Sequence, residues 1–542
     1  VKSKGCPGSR KAEELSLSAG TAQAVVDIPE EELRGGSSAR PPNPPSGSLL
    51  PLCVDLDGTL LRTDLLIESA LALVKKRFLF LFLLPIWFLR GRAVLKREIS
   101  RRVQLNAAYL PYRAALLEWL QAEHAAGRKL YLVTASDELL ARPVAEHVGI
   151  FEEVYGSDGS TNLKSGHKRD FLVKKFGARG FVYAGDSNAD LAIWSQAAGA
   201  VLVGVSPSIA AGAAALTTVT RTFPSERGGL KAFIKQIRVK QWVKNILVFV
   251  PVLAAHRIGD VNLDLRALVG FVSFSLCASA VYLANDLMDL EADRRHRSKK
   301  DRPFASGRLP LAVGIVTAPV FLVIAFGLAL TLSHWFPVAV SSGFAEAMRQ
   351  EKERGLSPSF ADVLAIYFVV TNAYTFWLKR EALLDVICLA GLYTLRIFAG
   401  AQSTHVPVSM WLLAFSMFAF LSLALVKRVS ELRVAKDSSE QALHGRGYSV
   451  ADQQLLSQAG ITSGYMSVLV FALYLHGDEV KALYTQPSVL WFICPLILYW
   501  ITRVWLLTHR GRMHDDPVIF AVRDRPSYLI GALALLVAYL AR

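Results

Sequence analysis

The sequence predicts two folds in one chain. An α/β domain with a parallel sheet and a helical cap comes first, followed by an all-α polytopic membrane domain of about nine transmembrane helices. Three observations predict this. Short apolar runs alternate with helical stretches between residues 49 and 205, the pattern of a parallel α/β sheet. Long apolar segments follow one another from about residue 240 onward. The 542-residue chain is 52% hydrophobic, the value of a membrane protein diluted by a soluble part.

Charge and cysteine content exclude several classes. The net charge of +15 fits cytoplasmic Lys/Arg facing anionic lipid, so no nucleic-acid partner is expected. The five cysteines form no CxxC pair and three lie in apolar runs. They read as reduced small hydrophobes, not as metal ligands or a disulfide framework.

Residues 1–48 are rich in Ser, Gly, Pro and charge and are expected to be disordered. They hold no apolar stretch of the secretory type. The chain begins at Val1 without a methionine, which leaves room for residues upstream. The α/β domain is placed at 49–205. Its strands are read in "LLPLCVDLDG", "RKLYLVTAS", "FVYAGDS" and "AVLVG". The run "LFLFLLPIWFL" (79–89) makes a helix of roughly 16 Å, too short for a hydrocarbon core of about 30 Å. It reads either as a buried cap helix or as one lying on the membrane surface between Lys75, Lys76, Arg77 and Arg90, Arg92. Residues 206–235 are expected to be a linker and 236–542 the membrane domain.

Nine apolar segments are expected near 243–258, 266–285, 312–332, 362–378, 382–401, 408–426, 461–476, 489–508 and 527–541. The connection at 340–360 carries "EAMRQEKERG" and suggests no function. Loops on the side of the α/β domain hold 18 Lys/Arg and the opposite loops hold 5. That excess places the α/β domain and the charged loops on the cytoplasmic side of the cell (inner) membrane.

In the first half, "DLDGT" sets Asp55 and Asp57 just past a strand. An Asp there can attack a phosphoryl group. A second carboxylate two residues on points the same way and can protonate the leaving oxygen. Thr134 and Lys168 can hold phosphate oxygens, with Lys164 a rival for the lysine role. "GDSNAD" adds Asp186 and Asp190, carboxylates that can hold Mg2+ beside Asp55. These pieces, in this order, resemble the haloacid dehalogenase (HAD) superfamily phosphatases over residues 49–205. The resemblance implies a Rossmannoid fold with Asp55 as nucleophile, Asp57 as acid/base, Thr134 and Lys168 on phosphate, and a Mg2+ cluster drawn from Asp55, Asp57, Asp186 and Asp190.

In the second half, "YLANDLMDLEADRRHRSKKDRPFASG" (282–307) follows an apolar run. The i, i+3, i+7 spacing of Asp286, Asp289 and Asp293 predicts three carboxylates on one helix face. Idle carboxylates beside hydrocarbon are costly, and hard oxygens suit Mg2+ completed by substrate phosphates. Lys299, Lys300, Arg302 and Arg308 can take up remaining phosphate charge. "NDLMDLEAD" followed by "RPFASG" resembles the first aspartate-rich motif of the UbiA superfamily of intramembrane prenyltransferases. Members usually carry a second aspartate-rich motif after the sixth helix. Here that place reads "LVKRVSELRVAK", with Lys427, Arg428 and Glu431. With "RVKQWVKN", "GRGYSVADQQLLSQAG" and "DDPVIFAVRDR", this resembles the decaprenyl-phosphate phosphoribosyltransferase branch.

That resemblance implies transfer of 5-phosphoribose from 5-phosphoribosyl 1-diphosphate to a polyprenyl phosphate, with one Mg2+ at each of two sites. Two anionic substrates sharing a pocket need cations. The residues expected to bind substrate are Lys244, Asn245, Asn285, Lys300, Arg302, Lys379, Arg380, Lys427, Arg428 and Glu431. The transfer product keeps a phosphomonoester at C5, which a phosphatase half could remove. The alternative is prenyl transfer from a prenyl diphosphate to an aromatic or other acceptor, beside a non-catalytic or unrelated phosphatase module. Homo-oligomerisation is left open.

Overall fold

The computed structural model describes residues 49–158, 163–334, 358–437, 446–513, 516–521 and 523–542. The N-terminal segment 1–48 and most of the 340–360 connection lie outside the described residues.

Six parallel strands build the first half: β1 (Leu52–Val54), β2 (Leu130–Asp137), β3 (Glu153–Ser157), β4 (Val182–Gly185), β5 (Gly199–Val203) and β6 (Thr218–Phe223). Their order is β3-β2-β1-β4-β5-β6. Leu52 is in register with both Leu130 and Val182. β1 is therefore the point from which the sheet grows in both directions, and a crevice opens beyond its carboxyl end. Continuous apolar strands suit a sheet covered on both faces. Leu52, Val54, Leu132 and Ala184 face one core, and Cys53, Val133, Tyr183 and Leu202 the other.

The expected boundary at 205 is corrected. A helix at Pro207–Leu216 and then β6 still belong to this half, with β6 paired along β5. "TVTRTF" is an edge strand with mostly exposed side chains, so its β-branched content carries no apolar signal. The expected linker also holds a helix at Gly229–Gln236.

Three helices follow β1: α1 (Leu65–Lys76), α2 (Phe80–Leu89) and α3 (Arg92–Ser100). Asp64 caps α1 by accepting from the Ile67 amide at 3.0 Å, satisfying a donor that the helix start leaves over. α2 is apolar on all sides. Trp87 packs inward with Leu73, Ile99 and Val103, whereas Leu79 is 72% and Leu89 85% exposed. One edge of α2 is thus cap core, and the rest presents hydrocarbon between basic flanks, the character of a helix on a membrane surface.

Among the described residues six helices are long and apolar enough to cross a membrane: Val261–Met288, Leu311–Leu332, Leu384–Thr404, Met410–Lys436, Val450–Tyr474 and Pro487–His509. Phe360–Phe376 and Arg525–Ala541 are apolar but shorter. The first expected segment is not one helix. It is a run of tight 3-10 turns at Val239–Phe249 and a five-residue helix, Val250–Ala254, whose first turn holds Pro251, a residue without an amide donor.

α1 joins the two halves. Ile67 and Leu71 pack against Leu283, Leu287, Leu290 and Leu311. Glu68 receives two bonds from Arg294, at 2.6 and 2.8 Å, with both side chains buried. Lys75 pairs with Asp289 at 2.9 Å. Gly307, at φ +70°, lies so close to Arg62 that an added Cβ would sit 2.5 Å from the Arg62 Cβ. Only glycine combines that backbone with that approach.

Candidate active sites

The crevice beyond β1 gathers most of the expected phosphatase residues. Asp55 accepts from the Leu56 amide at 2.8 Å and from Lys168 Nζ at 2.9 Å. Lys168 is buried and also donates to the Tyr183 hydroxyl at 3.0 Å. Lys164, its rival in the sequence, sits exposed at the rim. Asp186 follows β4, and carboxylate oxygens of Asp55, Asp186 and Asp190 lie within 4.8 Å of one another. Three hard-oxygen ligands so placed suit a magnesium ion. Gly58, at φ +79°, lets the turn pass directly against the Asp186 carboxylate.

The Asp57 carboxylate, expected among the metal ligands, is not part of that cluster. Its oxygens accept from the Leu65 amide at 2.8 Å and the Ser136 hydroxyl at 2.5 Å. Burial raises its pKa to about 7, helped by the nearby Asp64 charge. Burial likewise raises Asp186 to about 7, with Asp55 and Asp190 adding to the effect. Asp55 is also raised by burial, against the opposing pull of Lys168. Thr134 is fully buried, and its hydroxyl accepts from the Ser136 amide at 3.0 Å. Ser136, which shares its strand face two residues on, lines the crevice where Thr134 does not.

The aspartates of the second half stand at the end of the Val261–Met288 helix. That helix stops at Asp289, and a short one, Leu290–Arg295, resumes. The ladder expected on one continuous face is therefore broken at its middle member. Asp286 accepts from Arg238 at 2.5 Å, Arg302 at 2.9 Å and Gln236 at 2.8 Å. Arg302 also reaches Asp293 at 2.7 Å. Asp289 turns to Lys75. The donors are hard oxygens, as magnesium requires, and every one of these carboxylates is ion-paired.

A profile of the haloacid dehalogenase-like hydrolases matches residues 52–194, and one of the UbiA prenyltransferase family matches 246–346. Protein y4nM of Sinorhizobium fredii is 38% identical over 488 residues, 89% of each chain. Nodulation protein NoeC of Azorhizobium caulinodans is 33% identical over 57% of this chain and 92% of its own. Decaprenyl-phosphate phosphoribosyltransferase of Mycobacterium tuberculosis is 34% identical over 55% of this chain and 89% of its own. The chain belongs to the UbiA prenyltransferase family. A HAD-like hydrolase domain is fused in front, and the whole is a membrane-embedded enzyme. A solved UbiA homolog from Archaeoglobus fulgidus bound to GPP and Mg2+ superposes with a TM-score of 0.40 at 15% identity, over 57% of this chain and 99% of that one.

Within the UbiA half the expected cations divide. Lys244 and Lys427 converge on Asp516, at 2.7 and 3.7 Å. Asp516 lies in "DDPVIF", part of the stretch that carries the family resemblance. Arg428 does not stand open as a phosphate clamp. It is fully buried, ion-paired to Asp385 and Glu431, and reinforced by the Tyr374 hydroxyl on Asp385 at 2.8 Å. Glu431, whose side chain is partly exposed, is its second carboxylate partner. Asn245 is also interior. It donates to Ser275 at 2.9 Å and accepts from Arg396 at 2.9 Å, so it orients a buried arginine. Asn285 donates to Thr375 at 3.1 Å. Lys300, Lys379 and Arg380 lie on connecting segments and, among the described residues, form no ion pair. Arg238 and Gln236 escaped sequence reasoning, because a lone arginine before a basic run looks like membrane anchoring.

Proposed function

We propose that the UbiA half transfers 5-phosphoribose from 5-phosphoribosyl 1-diphosphate to a polyprenyl (decaprenyl) phosphate, and that the HAD half removes the 5-phosphate from the lipid-linked product. Support comes from the similarity to decaprenyl-phosphate phosphoribosyltransferase. The observation that carries the reading is the mixed charge at the aspartate mouth, where Arg238, Arg302 and Lys75 pair with Asp286, Asp293 and Asp289. Such pairs suit a metal-bound diphosphate, with carboxylates turning to the metal and guanidinium groups to phosphate oxygens. Bound Mg2+ would neutralise the diphosphate as leaving group. The bond from ribose C1 to the diphosphate breaks, its electron pair leaves with the diphosphate, and a lipid phosphate oxygen bonds to C1. The acceptor is already anionic at neutral pH, so no general base is needed. Lys244 and Lys427 are the cations suited to holding it, with Asp516 as their counterion before it binds.

In the HAD half, Asp55 attacks the 5-phosphate while Asp57 gives its proton to the departing ribose oxygen. Water then hydrolyses the aspartyl-phosphate with Asp57 taking a proton back. Asp55, Asp186 and Asp190 would hold the Mg2+ of this site, and Lys168 offsets the charge on Asp55. Both reactions belong to the cytoplasmic face in this reading, as the basic loops indicate.

The test uses the full chain in detergent with Mg2+, labelled sugar donor and a short polyprenyl phosphate. Labelled lipid should form, and an excess of prenyl diphosphate should not be consumed. Asp286→Asn combined with Asp289→Asn should lower transfer at least 100-fold. Asp55→Asn should still make lipid product and release no phosphate from it. Undiminished transfer by the double variant would overturn the reading.

A further inference from the structure

The HAD crevice opens into a cavity of about 610 Å³ that residues of both halves of the chain line. Asp55, Asp57 and Asp186 stand on one side. Gly307, Pro310, Leu311 and Ala312, which lead into a membrane helix, form part of the wall. Leu66, Ile67, Phe88 and Leu95 make the cap side apolar. A single phosphomonoester is already provided for by Lys168 and the metal carboxylates. The cavity is lined by six cations, against the five carboxylates Asp55, Asp57, Asp64, Asp186 and Glu226.

Three of its other cations are occupied. Arg62 pairs with Glu226. Arg113 donates to the Gly58 carbonyl at 2.9 Å. Lys96 donates to the Ala135 carbonyl at 2.5 Å. Three more line the same cavity from three different segments: Arg92 at the start of α3, Lys164 before the helix that bears Lys168, and Arg227 in the turn after β6. Among the described residues none of these three has an ion-pair partner; Arg92 lies only over the Phe88 ring, at 5.9 Å. Like charges facing one space repel, and an anion between them relieves the repulsion with charge-assisted hydrogen bonds.

We propose that Arg92, Lys164 and Arg227 form a second anion subsite, which holds the C1 phosphate of a sugar substrate while its C5 phosphate meets Asp55. This rests on the proposed function and adds that the phosphatase selects substrates carrying two phosphates. In the lipid-linked product the C1 phosphate is a diester, and its prenyl chain would leave along Phe88 and Leu311 toward the bilayer. Charge and apolar lining thus match the two ends of one molecule.

The test measures phosphate release by the full chain from ribose 5-phosphate, ribose 1,5-bisphosphate and the lipid-linked phosphoribosyl phosphate. Wild type should prefer the bisphosphate over ribose 5-phosphate at least tenfold in kcat/KM. Arg92→Ala with Arg227→Ala should shrink that ratio tenfold or more, and Arg92→Lys with Arg227→Lys should restore part of it. Parallel loss on both soluble compounds, or an unchanged ratio, overturns the subsite. A wild type that ignores the lipid compound yet keeps an arginine-dependent preference for the bisphosphate supports the subsite and refutes the lipid assignment. Cleavage of the lipid compound with no arginine dependence does the reverse.

Discussion

In the proposed phosphatase reaction Asp57 would serve two opposite proton transfers. Burial holds its pKa at about 7, so near neutrality it can both give and take a proton. The first step needs the acid form, which is lost as pH rises through 7. We therefore expect kcat/KM for phosphomonoester cleavage to fall about tenfold per unit above that point, following simple titration of one acid. Asp57→Asn should abolish turnover, and a flat profile from pH 6 to 9 would remove Asp57 from the acid role. At this scale the sequence was legible wherever a motif fixes a strand end. Asp55, Lys168 and Asp186, each carried by its own motif, meet in one crevice. It was less legible where depth along a strand decides: Thr134 and Ser136 share a face, and only the tertiary fold sets which one reaches the crevice.

At the scale of elements, α1 matters more than its length suggests. It starts beside Asp57, whose carboxylate accepts from the Leu65 amide, and it ends with Lys75 on Asp289. The exposed Lys75 pair contributes little on its own, about 0–1 kcal/mol. The Glu68–Arg294 pair is buried, and removing one partner of such a pair typically costs about 3–5 kcal/mol. Arg294→Ala should therefore loosen α1 from the membrane half, seen as faster amide exchange across residues 65–76. Glu68→Gln with Arg294→Met should recover much of the protection. Unchanged exchange in the single variant would show that apolar packing alone docks α1. None of this could be read from sequence. Glu68 is one of many helix acids, and its partner lies 226 residues away. The broken helix at Asp289 was hidden for a related reason: periodicity reports a face, and a stop within one turn leaves that face intact.

For the whole molecule, the order of folds was plain from composition, because apolar segment length separates a membrane half from a soluble one. The seam was not. Pairing of β6 and the docking of α1 depend on contacts distant in sequence, and both carry the HAD half past the boundary that composition suggested. The shared cavity leads to a kinetic expectation. With both reactions supplied, the intact chain should release inorganic phosphate without a lag. An equimolar mixture of Asp55→Asn chains and Asp286→Asn/Asp289→Asn chains in one bilayer should show a lag while lipid product diffuses between molecules. Identical time courses would mean that fusion gives no kinetic advantage.

The stretch from Arg302 to Ala312 touches both proposed sites. Arg302 bridges Asp286 and Asp293, and ten residues later Ala312 is still lining the phosphatase cavity. Neither proposed centre can drift independently through this segment. A change that retunes one enzyme is inherited at once by the other, so divergence of the pair toward new sugars or new lipids has to be concerted here or begin elsewhere.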